Sequence, residues 1–200
     1  MHQTQKRPTA LAIWLVAAGV IGLIAAFALT IEKFEVLVDP THVAACDFNP
    51  LVQCGANLNA PQGSVFGFPN PLIGLVGWMA PLVVGMALLA GARFSKWFWA
   101  LFSVGMTFAF GFVCWLIWQS IFFIGTLCPW CMVTWVVTIP SFYAVVLHSA
   151  RIGAIPLPNS LRRTAGTLMG WLPLLATVSY AIVAIIAVVR LPQVLDYIFG

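Results

Sequence analysis

The chain is predicted to be an all-α membrane protein with five transmembrane helices and one long outer loop that carries a cysteine pair. Its composition gives the class: 62 % of the 200 residues are hydrophobic and 7 % charged, with a mean hydropathy of +1.02, values that exclude an ordinary soluble domain. The distribution of charge gives the number of spans. Stretches without Lys, Arg, Asp or Glu run over Pro8–Ile31, Phe48–Ala92, Trp97–Ala150 and Thr164–Val189, and a span needs about 20 apolar residues.

The first span is placed at about 10 to 30. Lys6 and Arg7 precede it and Ala26-Phe27-Ala28 resembles a signal-peptidase box, but its apolar run is too long for the core of a typical cleaved leader, so it reads as a retained helix. The outer loop then covers about 32 to 70 and the second span about 71 to 91. The third window, as one helix, would be a rod of roughly 80 Å at 1.5 Å per residue, against about 30 Å of hydrocarbon. It must fold back near Gln119 to Thr126, where polar and glycine residues interrupt it, giving spans at about 97 to 121 and 128 to 148. The fifth span covers about 168 to 190. The whole chain reads as a single integral membrane domain.

Counting basic residues by side orients the bundle. With the N-terminus inside, Lys6, Arg7, Arg93, Lys96, Arg151, Arg162 and Arg163 are cytoplasmic, and only Lys33 and Arg190 lie outside, the asymmetry expected of a multi-pass protein of the cytoplasmic membrane. All five acids, Glu32, Glu35, Asp39, Asp47 and Asp196, fall outside. The net charge of +4 reflects this anchoring, and no further basic cluster suggests nucleic acid. No charged residue lies in the interior of a predicted span, which argues against an ion or proton pathway.

Four of the five cysteines map to the outer side: Cys46 and Cys54 in the loop, Cys128 and Cys131 at the outer start of the fourth span. Disulfides persist in that compartment. Pro129 suits the first helical position, which makes Cys128 the N-cap. Its sulfur then faces unpaired amides at the positive end of the helix dipole, which favours thiolate chemistry. Cys131 follows three residues on, on the same face and within bridging reach. Thiols at a bilayer surface can pass electrons to an acceptor dissolved in lipid, and a quinone is the obvious one. A structural bridge is a poorer reading of so small a ring, and zinc ligation usually uses two short-spaced pairs, whereas Cys46 and Cys54 have seven residues between them; no metal ligand is assigned. In the loop, Asn49-Pro50 reads as a helix start and Gly55 as its stop, with Leu51 and Val52 on a short turn. Asp47 beside Cys46 disfavours a thiolate there. Cys114 reads as a small apolar residue packed between helices, His42 as a loop histidine with a weak claim to proton transfer, and most of the tryptophans as interfacial or packing residues. His2 and His148 fall on the inner side, away from this chemistry.

The C-x7-C loop after the first span, Phe66-Gly67-Phe68-Pro69 leading into the second, and Cys128-Pro129-Trp130-Cys131 opening the fourth together resemble bacterial homologues of vitamin K epoxide reductase over roughly residues 10 to 150. The DsbB type of quinone-linked oxidoreductase has the opposite order of pairs. The resemblance implies four helices bundled around a quinone, with a fifth helix peripheral. It implies that Cys128 and Cys131 form the active-site pair, with Cys131 nearest the quinone, of menaquinone or ubiquinone type. Cys46 and Cys54 would relay electrons from a DsbA-type thioredoxin-like partner, through a transient Cys54–Cys128 bridge. Many bacterial members carry that partner as a C-terminal fusion; this chain ends at Gly200, so a separate partner is expected. Phe66, Trp135 and Ser64 are candidate quinone contacts by position. Near Asn59 and Ala60 the family commonly has a Ser or Thr; Ala60 has no hydroxyl, and Ser64, Thr126 and Asn57 are the candidate substitutes. Four residues after the second active-site cysteine, vertebrate enzymes carry a tyrosine where this chain has Trp135. The activity implied is disulfide generation for proteins folding outside the cytoplasm. Alternatives are a quinone or quinone-epoxide reductase whose useful product is the quinol, and a non-catalytic scaffold with structural disulfides.

Overall fold

The computed structural model, which describes residues 8–191, contains five long apolar helices. They are α1 (Thr9–Val38), α3 (Asn70–Leu89), α4 (Lys96–Gln119), α5 (Pro129–Arg151) and α7 (Leu172–Arg190). Two shorter helices complete the set: α2 (Gly55–Asn59) in the outer loop and α6 (Asn159–Gly170) between α5 and α7. Lys6, Arg7, His2 and Asp196 lie outside the described residues.

Helix α1 overruns its predicted end by eight residues. Its 30 residues make a rod of about 45 Å, so roughly the last third stands clear of a hydrocarbon layer about 30 Å thick. Glu32, Lys33 and Glu35 are good helix formers in water, and the charge boundary therefore marks the membrane surface and not the end of the helix. The loop begins at Asp39. At the other end of the chain the predicted fifth span starts four residues too early. Pro173 lacks an amide donor and disfavours helical backbone at the residue before it, so the chain breaks at Trp171 and α7 starts afresh. The segment before it forms α6, whose sequence is strongly amphipathic and carries Arg162 and Arg163.

In the bundle α1 packs against α3 and α5, and α4 against α5, and buried residues of all four share one core cluster that includes Leu15, Val84, Met106 and Val145. Close approach of α1 to α3 is made possible by glycines. A Cβ on Gly19 would fall 2.9 Å from the backbone of Leu82, and one on Gly85 would fall 2.8 Å from the carbonyl oxygen of Ala12. Polar ties cross the remaining interfaces: Trp14 Nε1 donates to Ser141 Oγ (3.0 Å) between α1 and α5, and Ser103 Oγ donates to Ser149 Oγ (2.7 Å) between α4 and α5. Such small hydroxyl residues let membrane helices pack closely and satisfy their own polarity. Trp78, Trp99 and Trp135 are all buried in packing.

The predicted reversal near Gln119 to Thr126 is made by a π-helical segment, Ser120–Ile124, ended by Gly125 in the left-handed conformation (φ +76°). Gly125 N donates to Ser120 O, and Ser120 Oγ donates to Thr126 O (2.5 Å). These bonds return the chain to the start of α5 in a few residues. Cys114 departs from its expected packing position: it is exposed on α4. The outer half of α4 packs through Val113 and Ile117 into the cluster around Trp135, which turns Cys114 away from the bundle.

Candidate active site

Three sulfur atoms lie in series at the outer end of the bundle. Cys46 and Cys54 form a disulfide with a Cα–Cα distance of 5.6 Å, and the Cys128 thiol donates to Cys54 Sγ across 3.4 Å. Cys128 is the N-cap of α5, with Pro129 as the next residue, and its sulfur accepts from Cys131 N (3.4 Å). Cys128 and Cys131 are both free thiols. Cys54 and Cys128 are wholly buried, and Cys46 nearly so.

The loop is fastened to the bundle by backbone pairing. Gln53 N donates to Leu127 O (3.0 Å) and Leu127 N to Leu51 O (2.8 Å), around a parallel bridge between Val52 and Leu127. This pairing explains why residues 50 to 54 are not the helical turn predicted from Asn49-Pro50. Asn49 does cap a turn, its Oδ1 accepting from Leu51 N and Val52 N, but the backbone of residues 51 to 53 then bonds across to Leu127 and cannot close a helix. Gly55, read as a stop, is the first residue of α2. The reason is Asp47: its Oδ1 accepts from Cys54 N (2.6 Å) and Gly55 N (2.9 Å), supplying the acceptor that a helix start requires. A Cβ on residue 55 would sit 2.7 Å from Asp47 Oδ2. Asp47 thus clasps both ends of the disulfide loop. The far end of α2 is held by Lys33 of α1, whose Nζ donates to Leu58 O (2.8 Å) and Asn59 Oδ1 (3.2 Å).

Beneath the sulfurs is a cavity of about 370 Å³. It lies between α3 and α4, which face each other across it through small residues and rings such as Gly74, Gly77, Ala80, Gly105, Ala109 and Phe112. Helix α3 packs on α1 and α4 on α5, so the seam between α3 and α4 is occupied by the cavity. Its polar residues collect toward the outer end, where Asn57, Gln62, Asn70, Gln119 and Ser120 line it. Gln62 Nε2 donates to Gln119 Oε1 (3.2 Å), joining the loop to the end of α4. Cys131, Thr134, Trp135 and Thr138 form the α5 wall. An apolar chamber with a polar end is the shape for a flat ring with polar substituents and a hydrocarbon tail.

The candidate residues divide between two places. Cys131 and Trp135 line the cavity. Phe66 does not; it is exposed, lies 6.0 Å from the Phe112 ring, and lines a shallow outer groove with Val65, Phe108 and Trp115. Ser64 lines neither space. Of the candidate substitutes for the missing hydroxyl, Asn57 and Thr126 are joined: Asn57 Nδ2 donates to Thr126 Oγ1 (2.8 Å), two residues before Cys128. Gln62, Asn70 and Gln119 had no local signal in the sequence. Their only mark was polarity beside apolar windows.

A family model described as the vitamin K epoxide reductase family matches residues 13–146, which include both cysteine pairs, the loop between them and four of the five long helices. The chain belongs to the vitamin K epoxide reductase family. It is accordingly a multi-pass membrane oxidoreductase whose chemistry links thiols and a quinone. For the vitamin K epoxide reductase fold in this chain, the quinone is the substrate that the cavity suits.

Proposed function

We propose that this family member generates disulfides for proteins folding outside the bacterial cytoplasm. In this reading it takes two electrons from a separate thioredoxin-like protein of the DsbA type and passes them to a menaquinone- or ubiquinone-type quinone. The observation that carries it is the continuous path Cys46–Cys54, Cys128, Cys131, cavity wall.

A thiolate of the reduced partner attacks Cys46, breaking the loop bridge and releasing Cys54 as thiolate; the partner's second thiol then resolves the mixed disulfide and leaves oxidised. Cys54 attacks Cys128 of an oxidised active-site pair, forming the Cys54–Cys128 bridge and freeing Cys131. Cys46 resolves that bridge, leaving the loop oxidised and the active-site pair reduced. Oxidation of the Cys128/Cys131 dithiol then gives two electrons and two protons to the quinone. Every step before the last is thiolate exchange. The arrangement observed, with Cys46–Cys54 bonded and Cys128 and Cys131 free, corresponds to the point just before quinone reduction.

The distribution of charge supports this orientation. Arg93, Lys96, Arg151, Arg162 and Arg163 belong to the end away from the cysteines, while Lys33 and Arg190 share the cysteine end, so the positive-inside rule puts both pairs outside the cytoplasm.

The test is reduction of a soluble quinone analogue, followed by absorbance, with purified protein and a reduced thioredoxin-like partner. Turnover by the native protein and none by Cys131→Ala is expected. Turnover unchanged in Cys131→Ala overturns the relay.

A further inference from the structure

The extramembrane end of α1 carries two carboxylates and receives a histidine from the loop. Glu32 and Glu35 are three residues apart and share a helix face. Past Val38 the chain reverses in a turn held by Asp39, whose Oδ1 accepts from Thr41 N (2.9 Å) and Thr41 Oγ1 (2.7 Å). These bonds, the side-chain one first, hold the Asp39 carboxyl below its ordinary pKa. The turn returns His42 Nε2 to 3.2 Å from Glu32 Oε2 and 3.0 Å from Glu35 Oε2, and one ligand atom from each of the three lies within 4.8 Å of the others.

Charge and geometry at this point suit a cation. Glu32 is buried, and the nearest lysine in sequence, Lys33, spends its ammonium on Leu58 O and Asn59 Oδ1. A tetrahedral ion with bonds of about 2.0–2.1 Å to nitrogen and oxygen spaces its ligand atoms about 3.3 Å apart, so the two His–Glu contacts need only a few tenths of an ångström of expansion. One imidazole and two carboxylates with a fourth position toward solvent form a donor set for a borderline divalent ion such as zinc. Calcium needs more oxygen ligands than are gathered here. The outer shell is present: Ala45 N donates to the Glu32 carboxylate at 3.2 Å, fixing its orientation as supporting hydrogen bonds do in metal sites. Ala45 is the residue before Cys46.

We propose that Glu32, Glu35 and His42 form a zinc-class divalent metal site that clamps the Cys46 segment to α1 and slows electron entry at the Cys46–Cys54 bridge. Metal binding stands apart from the thiol relay; its consequence for electron entry rests on the function proposed above. A bound ion ties together His42 on the loop and Glu32 on α1, while Glu32 holds Ala45. Opening of the loop, which a reductant needs in order to reach buried Cys46, then requires loss of a metal ligand.

The probe is Co²⁺ titrated into the full-length protein with its loop bridge intact, read by visible absorption, with Zn²⁺ as competitor. One Co²⁺ per chain with a nitrogen/oxygen spectrum, displaced by Zn²⁺ and lost in His42→Ala and Glu35→Gln, is expected. Both substituted residues are partly exposed, so folding is spared. The second measurement is the rate at which a non-chelating phosphine reduces Cys46–Cys54, which involves neither quinone nor partner. At Zn²⁺ tenfold above its Kd, mass action lowers the open population about tenfold, and the rate should fall by that factor in the native protein and not in His42→Ala. A Co²⁺ spectrum with thiolate character, or one unchanged in both variants, overturns the site. Equal slowing by Zn²⁺ in His42→Ala, or no slowing in the native protein, overturns the clamp.

Discussion

The Cys128 sulfur is in contact with the Cys54 sulfur at 3.4 Å while Cys54 is bonded to Cys46. A disulfide bond is about 2.0 Å long, so exchange between the two pairs needs an approach of roughly 1.4 Å. Removing the two outer members of the chain of sulfurs should therefore trap the central contact as a bond. In the double variant Cys46→Ala/Cys131→Ala, mild oxidation should link Cys54 to Cys128 nearly quantitatively. Peptide mapping by mass spectrometry under non-reducing conditions checks this, and a folded double variant that stays unlinked contradicts the relay.

Cys46→Ala alone tests the order of events. It removes the entry point for a protein thiol but leaves Cys54, Cys128 and Cys131. Turnover with a small dithiol should survive, and turnover with a thioredoxin-like partner should be lost. If both fail together, the proposed order of the relay is wrong.

Asp47 accepts from Cys54 N and Gly55 N, and hydrogen bonds to a charged acceptor are worth about 1.5–3 kcal/mol each. Asp47→Ala should loosen the loop with little effect on the transmembrane helices. Reduction of Cys46–Cys54 by a small phosphine should accelerate by about tenfold or more, since 1.4 kcal/mol is a factor of ten in a local opening equilibrium. Asp47→Asn keeps an acceptor and should fall between. Unchanged kinetics in Asp47→Ala would show that Asp47 does not hold the loop.

Two glycines in the same pair of packed helices should answer oppositely to alanine. Gly19→Ala drives its methyl into the Leu82 backbone, which cannot step aside, and overpacking of this kind costs about 1–3 kcal/mol. Gly77→Ala meets no atom within 4 Å and relieves the helix of a glycine, worth about 0.5–1 kcal/mol. Thermal unfolding in detergent should show a lower Tm for the first and an equal or higher Tm for the second.

Helix existence was legible from charge-free windows, and the gathering of the four outer cysteines at one end of the bundle from their order and spacing. What escaped was set by contacts between distant segments. The end of α1 could not be read from Glu32, Lys33 and Glu35, because charge marks where lipid ends and not where a helix ends. Gly55 carried the signature of a helix stop, but Asp47, eight residues earlier, turned it into a start. His42 looked solitary until the Asp39 turn brought it back to α1. Cys131 and Trp135 fell on the cavity wall because helical spacing from Cys128 is a local matter. Phe66 and Ser64 were assigned by proximity along the chain, which says little about a loop whose path is fixed by Gln53, Leu127 and Asn70.

The Asn57–Thr126 hydrogen bond joins two of the three candidate substitutes for the hydroxyl that Ala60 lacks. Asn57 lines the cavity from the loop side, and its amide reaches Thr126 Oγ1 at 2.8 Å, on the strand-like approach to Cys128. One bond therefore couples the loop pair, the active-site pair and the polar end of the cavity. Thr126→Val preserves shape but leaves the partly buried Asn57 amide without its short acceptor, at a cost of about 1–3 kcal/mol. Asn57→Ala removes both the donor and a polar group facing the cavity. If the pair only braces the loop, both variants should speed phosphine reduction of Cys46–Cys54 and leave the KM for quinone alone. If Asn57 also meets the ring, Asn57→Ala should raise that KM by about tenfold, the worth of one neutral hydrogen bond of roughly 1.4 kcal/mol, while Thr126→Val changes it little. The geometry favours the second outcome, because Asn57 lines the cavity while its amide is held by Thr126. Equal KM for Asn57→Ala and the native protein would confine the pair to bracing.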